Sequence, residues 1–403
     1  VGWNVVRELA KRHELVVLTR ANNAAKIRGC GEAWADGVEW VFYDPPAWLT
    51  FWKRGSRGVQ AFYVIWQLGI WMRCRELMEK HRFDVAHHLT FGKYWVPSPL
   101  AWLGLPFVFG PVGGGESTPE PLRSAYGWRG RLAERVRDLV RGCLSLPGPL
   151  RSTLRRATWT LAATRQTADA LQQAGVTRLS VQVQSGITRQ ELQTLGDAPP
   201  AARKDGPIKL VTACRLIHWK AVDLAIEAIA AARGRGLDVH LTVLQNGPEQ
   251  ASLEQLAAKL GIAHKVTFAG RLPTLDDVYQ TIRGSDALIH PALHEAFGQA
   301  CLEALALGTP VICLDWAGPG VIVTDDCGYK VLPGSKEETV QRFADAITAL
   351  HAGRDGAEQR SLAARRRATD FLWDSICAGI EEGYRKATGA ESSSTSLDSH
   401  TLL

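Results

Sequence analysis

The sequence predicts an α/β protein of two Rossmann-like domains facing a central cleft. Apolar strand-like runs alternate with helix-like patterns along the whole chain, the signature of parallel sheets covered by helices. The 403 residues, 46% hydrophobic and 22% charged, supply material for two cores. A stretch rich in proline, glycine and charge at 196–207 divides the alternation in two, as an interdomain linker does.

The first domain is expected over 1–198, with strands at 14–18, 38–42, 85–87, 107–110 and 160–163. The chain opens inside a helix (Trp3, Val6, Leu9, Ala10), whereas a parallel α/β domain usually begins with a strand; a first strand and its loop are therefore expected to be missing. The richest apolar run, 61–72, is interrupted by Gln67 and Gly69 and is too short to span a bilayer, so it reads as a buried or surface helix. After the linker, 199–207, the second domain is expected over 208–370. Its strands fall at 208–213, 239–244, 265–269, 287–290 and 310–314, and its helices at 222–233, 251–260, 275–282, 299–307 and 338–350, a βαβ series. Late helical pattern runs through 361–386, with 371–388 expected to return to the first domain, and the serine-rich residues 389–403 read as a disordered tail.

Eight scattered cysteines without a CxxC pair read as buried thiols in a reducing compartment, which implies a cytoplasmic protein. The net charge of +6 is unevenly placed: residues 123–156 hold nine arginines against Glu134 and Asp138. Leu132, Val136, Leu139 and Val140 give this stretch an apolar face at helical spacing. It reads either as a solvated basic helix or as a peripheral contact with an anionic membrane or acceptor lipid. Nucleic acid is not an expected partner, because the basic residues lack a recognition motif and interleaved aromatics.

Open α/β sheets bind ligands beyond the carboxyl ends of their strands. After the strand ending at His290 comes His294-Glu295-Ala296-Phe297-Gly298-Gln299-Ala300-Cys301-Leu302-Glu303. The N–H groups that open the helix near Phe297 to Gln299 favour a diphosphate, and Gly298 lets backbone approach closely. Glu295 and Glu303 can then accept hydrogen bonds from hydroxyls on either side of that diphosphate. After the strand at 208–213 comes Arg215-Leu-Ile-His-Trp-Lys220. Its two cations suit a clamp that stabilises the negative charge of a departing diphosphate.

Glu-x-Phe-Gly-x4-Glu, reading on into Ala-Leu-Ala-x-Gly-x-Pro-Val, resembles the donor-site motif of glycosyltransferase family 4, whose members are retaining enzymes of the GT-B fold. The resemblance covers nearly all of residues 1–387 and extends to a bacterial branch through His-His-Leu-Thr-Phe-Gly (87–92) and Gly-Pro-Val-Gly-Gly-Gly-Glu (110–116). It implies a nucleotide-diphosphate sugar as donor, with Glu295 on the transferred sugar, Glu303 on the ribose hydroxyls, and Arg215 and Lys220 on the diphosphate. The family's glycine after that lysine is Ala221 here. By the same resemblance the Ala296–Gly298 turn lines the donor site, Gly247-Pro248-Glu249 is a structural turn whose Gly247 at most lines it, and backbone at Arg271 and Leu272 meets the base. Gly318-Pro319 and Asp326-Cys327-Gly328 read as scaffold.

The loops after the first-domain strands carry His87, His88, Gly113 and Gly114, expected on the acceptor side. A histidine there can hydrogen-bond the sugar or acceptor or support a proton relay, with His88 the catalytic candidate; a satisfied structural histidine is the competing reading. The glycine run does not match GxGxxG, which disfavours a nicotinamide enzyme. No DxD-type metal motif can be placed, Asp325-Asp326 lying in the scaffold loop, so neither metal nor cofactor is expected. The resemblance implies same-face displacement onto a hydroxyl of a lipid- or polysaccharide-linked acceptor in envelope or exopolysaccharide synthesis. The rival readings are an epimerase or phosphorylase on the same fold, a non-catalytic sugar-nucleotide-binding module, and a membrane-surface scaffold.

Overall fold

Along β4 (Phe107–Val112) successive side chains go to opposite faces. Phe107 and Phe109 join one buried cluster with Leu171 and Tyr94, while Val108 joins another with Leu161, Trp373 and Tyr384. A strand buried on both faces belongs inside a parallel sheet covered by helices. The computed structural model describes residues 1–403 except 54, 56, 57, 91, 126–131, 133, 134, 137–147, 197–205, 391–399 and 403. The chain divides into two units, one holding Val1–Gly115, Val140–Gln184 and Trp373–Leu403, the other Glu116–Leu139 and Ser185–Leu372.

In unit 1 the parallel sheet has the order β2-β1-β13-β3-β4-β5-β6. The strands are β1 (Glu14–Thr19), β2 (Glu39–Phe42), β3 (Val85–His88), β4, β5 (Trp159–Ala162), β6 (Leu179–Val181) and β13 (His400–Leu402). Helices α1 (Gly2–Leu9), α2 (Ala24–Arg28), α3 (Ala33–Asp36), α4 (Ala47–Thr50), α5 (Val59–Lys80), α6 (Pro149–Arg156) and α7 (Arg165–Gln173) connect them. Thr164 caps α7 by accepting from the Thr167 N–H at 3.1 Å. The last helix of the chain, α16 (Trp373–Thr388), buries Ile376, Ile380 and Tyr384 against this sheet.

The final residues differ from the expected disordered tail. His400–Leu402 forms a strand paired in parallel with Glu14–Val16 on one side and Val85–Ala86 on the other, and Thr401 is fully buried. Its backbone satisfies ladder positions that the serine-rich composition of the preceding residues does not announce; residues 391–399 lie outside the described residues.

In unit 2 the parallel sheet has the order β12-β11-β10-β7-β8-β9. Its strands are β7 (Ile208–Ala213), β8 (Val239–Leu244), β9 (Val266–Gly270), β10 (Ala287–His290), β11 (Val311–Leu314) and β12 (Gly328–Val331). The helices are α8 (Arg189–Gly196), α9 (Val222–Gly234), α10 (Gln250–Lys259), α11 (Leu275–Arg283), α12 (Gln299–Ala306), α13 (Ala317–Ile322), α14 (Lys336–Ala352) and α15 (Ala357–Thr369). Capping boxes open α11 (Thr274 with Asp277) and α14 (Ser335 with Glu338). The segment after Gly115 belongs to this unit, where the first domain was expected to run to 198: Leu122 is fully buried in the unit 2 core, and the Trp316 indole donates to the Ser117 carbonyl at 2.7 Å. Most of the expected linker, 199–207, lies outside the described residues.

Candidate active site

Numbered from its own first strand, the unit 2 sheet has the order 6-5-4-1-2-3, so the direction of winding reverses between β7 and β10. Such a switch point leaves the loops after two adjacent strands diverging around an open crevice. These are the loops that carry Arg215–Lys220 and His294–Gly298. They are stitched together where the Leu293 N–H donates to the Trp219 carbonyl at 2.9 Å. Two residues that the sequence separates by 75 positions thereby meet: Lys220 Nζ forms a part-buried ion pair with Glu295 Oε2.

The same carboxylate oxygen lies 3.5 Å from Nε2 of His290, the last residue of β10. Burial pushes the Glu295 carboxyl up, but hydrogen bonding from His290 and the Lys220 charge more than offset it and hold it down at about 2. Burial holds the His290 imidazole below its ordinary value against the pull of Glu295, with Lys220 adding to the lowering. A neutral imidazole and an ammonium thus fix one ionised carboxylate.

Glu295 leads into α12, whose N-cap, Gly298, sits in the left-handed region at φ 97° and carries no side-chain cap. Of the first-turn N–H groups that of Cys301 donates to the Gly298 carbonyl at 2.9 Å, while those of Gln299 and Ala300 have no side-chain cap, an arrangement that suits an anion. Gly318 buttresses this turn: its N–H donates to the Glu295 carbonyl at 3.0 Å, and a Cβ there would come within 2.3 Å of the Phe297 carbonyl oxygen. Ala296 is half-buried and Phe297 buried, its ring edge-on to Phe371 at 6.0 Å. Gly247 does for the other loop what Gly318 does for this one. A Cβ on it would lie 2.1 Å from the Leu216 carbonyl oxygen, which itself accepts from the Glu249 N–H at 3.2 Å.

Glu303 sits half-buried on α12. Burial raises its carboxyl to about 7, with Glu191 adding to the rise and a bond from Gln299 opposing it. Arg215 is exposed. Arg271 is exposed and Leu272 half-buried after β9, two strands from β7, and their loop is tied to the 245–247 turn through Gln245 N–H donating to the Gly270 carbonyl at 2.7 Å.

In unit 1, His87 and His88 end β3 instead of lying in the loop beyond it. His87 is fully buried, with Nδ1 2.7 Å from the Tyr384 hydroxyl and Nε2 2.5 Å from the Gly110 carbonyl. Burial lowers it to about 4, so it is a satisfied neutral core histidine. His88 differs. Its Nε2 meets the Tyr63 hydroxyl at 2.6 Å and the Thr90 carbonyl at 3.0 Å, while its buried Nδ1 has no hydrogen-bond partner. Burial lowers this histidine too, to about 4. It lines a cavity of about 630 Å³ with Thr19, Trp40, Trp66 and Gln67, next to the point where β13 ends in register with Val16 and Ala86. Gly113 pairs with Lys93, and its N–H donates to the Gly92 carbonyl at 2.9 Å. Gly114, at φ 108°, leaves room for the Trp95 ring, which a Cβ would meet at 2.3 Å.

The geometry brings Lys220, Glu295 and the start of α12 together, and separately sets His88 on a cavity in unit 1. It also adds residues that sequence reading left out. His290 had a signal, a histidine closing an apolar strand (Ala-Leu-Ile-His) five residues before Glu295. Of the pair that holds His88, Gln67 had one as the polar interruption of the apolar run 61–72, and Tyr63 had none.

Comparison with known proteins places the second sheet within a known family's match. Residues 197–367 match the family described as Glycosyl transferases group 1. The matched stretch coincides with the sheet that bears Lys220 and Glu295. A D-inositol 3-phosphate glycosyltransferase of Nocardia farcinica is 34% identical over 180 residues, 43% of this chain and 39% of that protein. A GDP-mannose-dependent alpha-(1-6)-phosphatidylinositol dimannoside mannosyltransferase of Mycobacterium tuberculosis is 31% identical over 173 residues, 43% of this chain and 42% of that protein. The match thus spans about two fifths of these relatives. Among solved structures, a glycosyltransferase of Rickettsia africae superposes with a TM-score of 0.58 at 14% identity, covering 94% of this chain and all of that one. Sucrose-phosphate synthase of Thermosynechococcus elongatus gives 0.58 at 16% identity over 94% and 100%. The two Rossmann-like units are those of the GT-B fold.

Proposed function

We propose that this chain is a retaining, metal-independent glycosyltransferase of family 4 type. It moves a hexose-type sugar from a nucleotide-diphosphate sugar to a hydroxyl of a lipid- or polysaccharide-linked acceptor, at the cytoplasmic face, in envelope or exopolysaccharide synthesis. The observation that carries the reading is the Lys220–Glu295 pair beside the uncapped start of α12 at the switch point of unit 2. In the free protein each charge stands in for what the donor brings. The diphosphate replaces Glu295 as partner of Lys220, and a sugar hydroxyl replaces Lys220 as partner of Glu295.

In the proposed reaction the bond from the anomeric carbon to the diphosphate oxygen breaks and one to the acceptor oxygen forms on the same face. The acceptor proton passes to the leaving diphosphate. Lys220 and Arg215, with the first N–H groups of α12, stabilise the charge gathering there. Glu303 receives the ribose hydroxyls. In unit 1, His88, on the wall of its cavity, is the candidate to meet a sugar or acceptor hydroxyl.

A thermal-shift panel of UDP-, GDP-, ADP-, TDP- and CMP-sugars in EDTA tests the donor part. A ligand held a hundredfold above its Kd stabilises by about 2.7 kcal/mol, and one nucleotide is expected to stand out. Anomeric configuration of the product, followed by NMR, tests retention. A selective donor that is never turned over by any hydroxyl acceptor would favour a binding module instead.

A further inference from the structure

Within the sheet of unit 1, β13 is shorter than the place it fills. It pairs with Glu14–Val16 on one side and with Val85–Ala86 on the other. Strand β1 runs on past Val16 to Thr19, and β3 past Ala86 to His88. Among the described residues no strand lies between these two continuations. The cavity of about 630 Å³ lies there instead, lined by Val17, Leu18 and Thr19 along one edge and by His87 and His88 along the other.

The width and lining of this space select its occupant. Strands on either side of a third stand two interstrand spacings apart, about 9.6 Å, which admits one extended backbone. Such a backbone supplies donors and acceptors to both edges at once, which a sugar or an acyl chain does not. Both faces are apolar. Val6 of α1 borders the cavity from the cluster that holds Val17 and Tyr384, and Ile70 and Cys74 of α5 from the cluster that holds Val16 and Phe109. A parallel strand placed there is buried on both faces and has to be apolar throughout. In the doubly wound order this is the place of a unit's first strand, and Gly2 and Trp3, which open α1, also line the cavity.

Strand β13 fits these conditions poorly. Thr401 is fully buried and its hydroxyl has no hydrogen-bond partner, a cost that a valine of the same shape would not carry. We infer that the slot between β1 and β3 is a binding site for an extended apolar peptide strand, running parallel from the level of Glu14 to that of Thr19, and that His400–Leu402 is a replaceable occupant of its first half. The bound strand lies in the plane of the sheet and leaves the His88 ring on the α5 side, beside Tyr63 and Gln67. The inference does not depend on the sugar-transfer reading, because it needs no donor. The arginine-rich 123–156, most of which lies outside the described residues, takes no part in it.

The test is fluorescence anisotropy of a labelled peptide of about six valine and isoleucine residues flanked by lysines, added to the whole chain, with a proline-interrupted peptide as control. The first peptide is expected to bind and the second not, with slower hydrogen exchange at 17–19 and 87–88 in the complex. Because peptide and β13 compete for one slot, two substitutions at one buried position should move affinity in opposite directions. Thr401→Val is expected to raise the melting temperature and to weaken peptide binding roughly 5-fold, and Thr401→Asp to lower the melting temperature and strengthen binding by a similar factor. Wild-type peptide affinity in the valine variant overturns the inference, even where the aspartate variant does not fold. So does equal binding of the proline-interrupted peptide, binding without protection at 17–19 and 87–88, or no binding to either the wild type or a folded aspartate variant.

Discussion

Nε2 of His290 lies 3.5 Å from the Glu295 carboxylate oxygen that also pairs with Lys220. Burial holds the imidazole below its ordinary value, and it sits as a fixed polar group beside a carboxylate that, on the proposed reading, releases its lysine when a donor arrives. It keeps Glu295 ionised and aimed at that moment. Neither ring nitrogen has a hydrogen-bond partner in the free protein, so Nε2 is a buried polar group 3.5 Å from Glu295 that a released carboxylate can reach, and a bond to a charged group is worth roughly 1.5–3 kcal/mol. His290→Phe is therefore expected to lower kcat/KM about 10-fold or more, with His290→Gln recovering part of it. Because His290 helps hold Glu295 at about 2, the acid limb of the pH profile should move to higher pH in the phenylalanine variant. A loss of activity with an unmoved acid limb would reduce His290 to a packing residue.

Glu303 carries the opposite shift, and its sign fixes two outcomes. Its carboxyl is up at about 7 in the folded protein against an ordinary value of 4.5. Between those values the folded state binds the proton more tightly than the unfolded chain, so stability falls as pH rises through this window, and the deficit persists above it. Glu303→Gln is expected to match wild type near pH 4 and to be more stable near pH 8, by on the order of 2–3 kcal/mol. On the proposed reading ribose hydroxyls donate to the carboxylate, so donor affinity in the wild type should rise from pH 6 to 8. The glutamine variant should lose both affinity and its pH dependence, read by calorimetric titration at several pH values.

What the sequence could disclose followed from burial. Strands β10 and β11 are apolar runs buried on both faces, β7 and β8 are mostly so with Lys209, His240 and Thr242 half-buried, and each starts and stops within a residue or so of its expected place. The half-buried edge strands β6 and β12 carry no such run and were not legible. Nor was β13, whose pairing depends wholly on the neighbours it meets. The expected late helix is two helices, α15 and α16, parted at Asp370–Leu372, where the chain leaves unit 2 for unit 1. The Lys220–Glu295 pair and the role of His290 are tertiary facts. Spacing could name the residues flanking each strand end, but only the strand order makes β7 and β10 neighbours.

Gly247 tests whether the loop carrying Arg215 is held by backbone contact. A Cβ at 247 would lie 2.1 Å from the Leu216 carbonyl oxygen, and neither backbone has a flexible end that can yield. Over-packing of this kind costs about 1–3 kcal/mol, so Gly247→Ala is expected to lower the melting temperature by several degrees, on the order of 2–4 °C per kcal/mol. Donor affinity should fall with it. Gly234→Ala is the matched control: it closes helix α9 with open space around its Cβ position, and the melting temperature should not fall. Equal melting temperatures for the two variants would remove the contact from the account.

Ala221, directly after Lys220, stands where the resembled family has glycine, and its backbone explains why. It is at φ 51°, ψ 40°, the left-handed region, and it caps the start of α9 while 97% of its surface is buried. Left-handed backbone costs an ordinary residue roughly 1–2 kcal/mol. Against that, a buried methyl contributes ~0.8 kcal/mol, and alanine restricts the unfolded chain by about 0.4–1 kcal/mol relative to glycine. The two sides nearly cancel, so Ala221→Gly is expected to change stability by less than about 1 kcal/mol and to leave donor binding intact. Ala221→Val is expected to be severe, because a β-branched side chain has no comfortable rotamer at positive φ. Its strain should fall on the turn that places Lys220, weakening donor affinity as well as the melting temperature. A valine variant with wild-type donor affinity would show that Lys220 is positioned independently of this turn, by its contact with Glu295 alone.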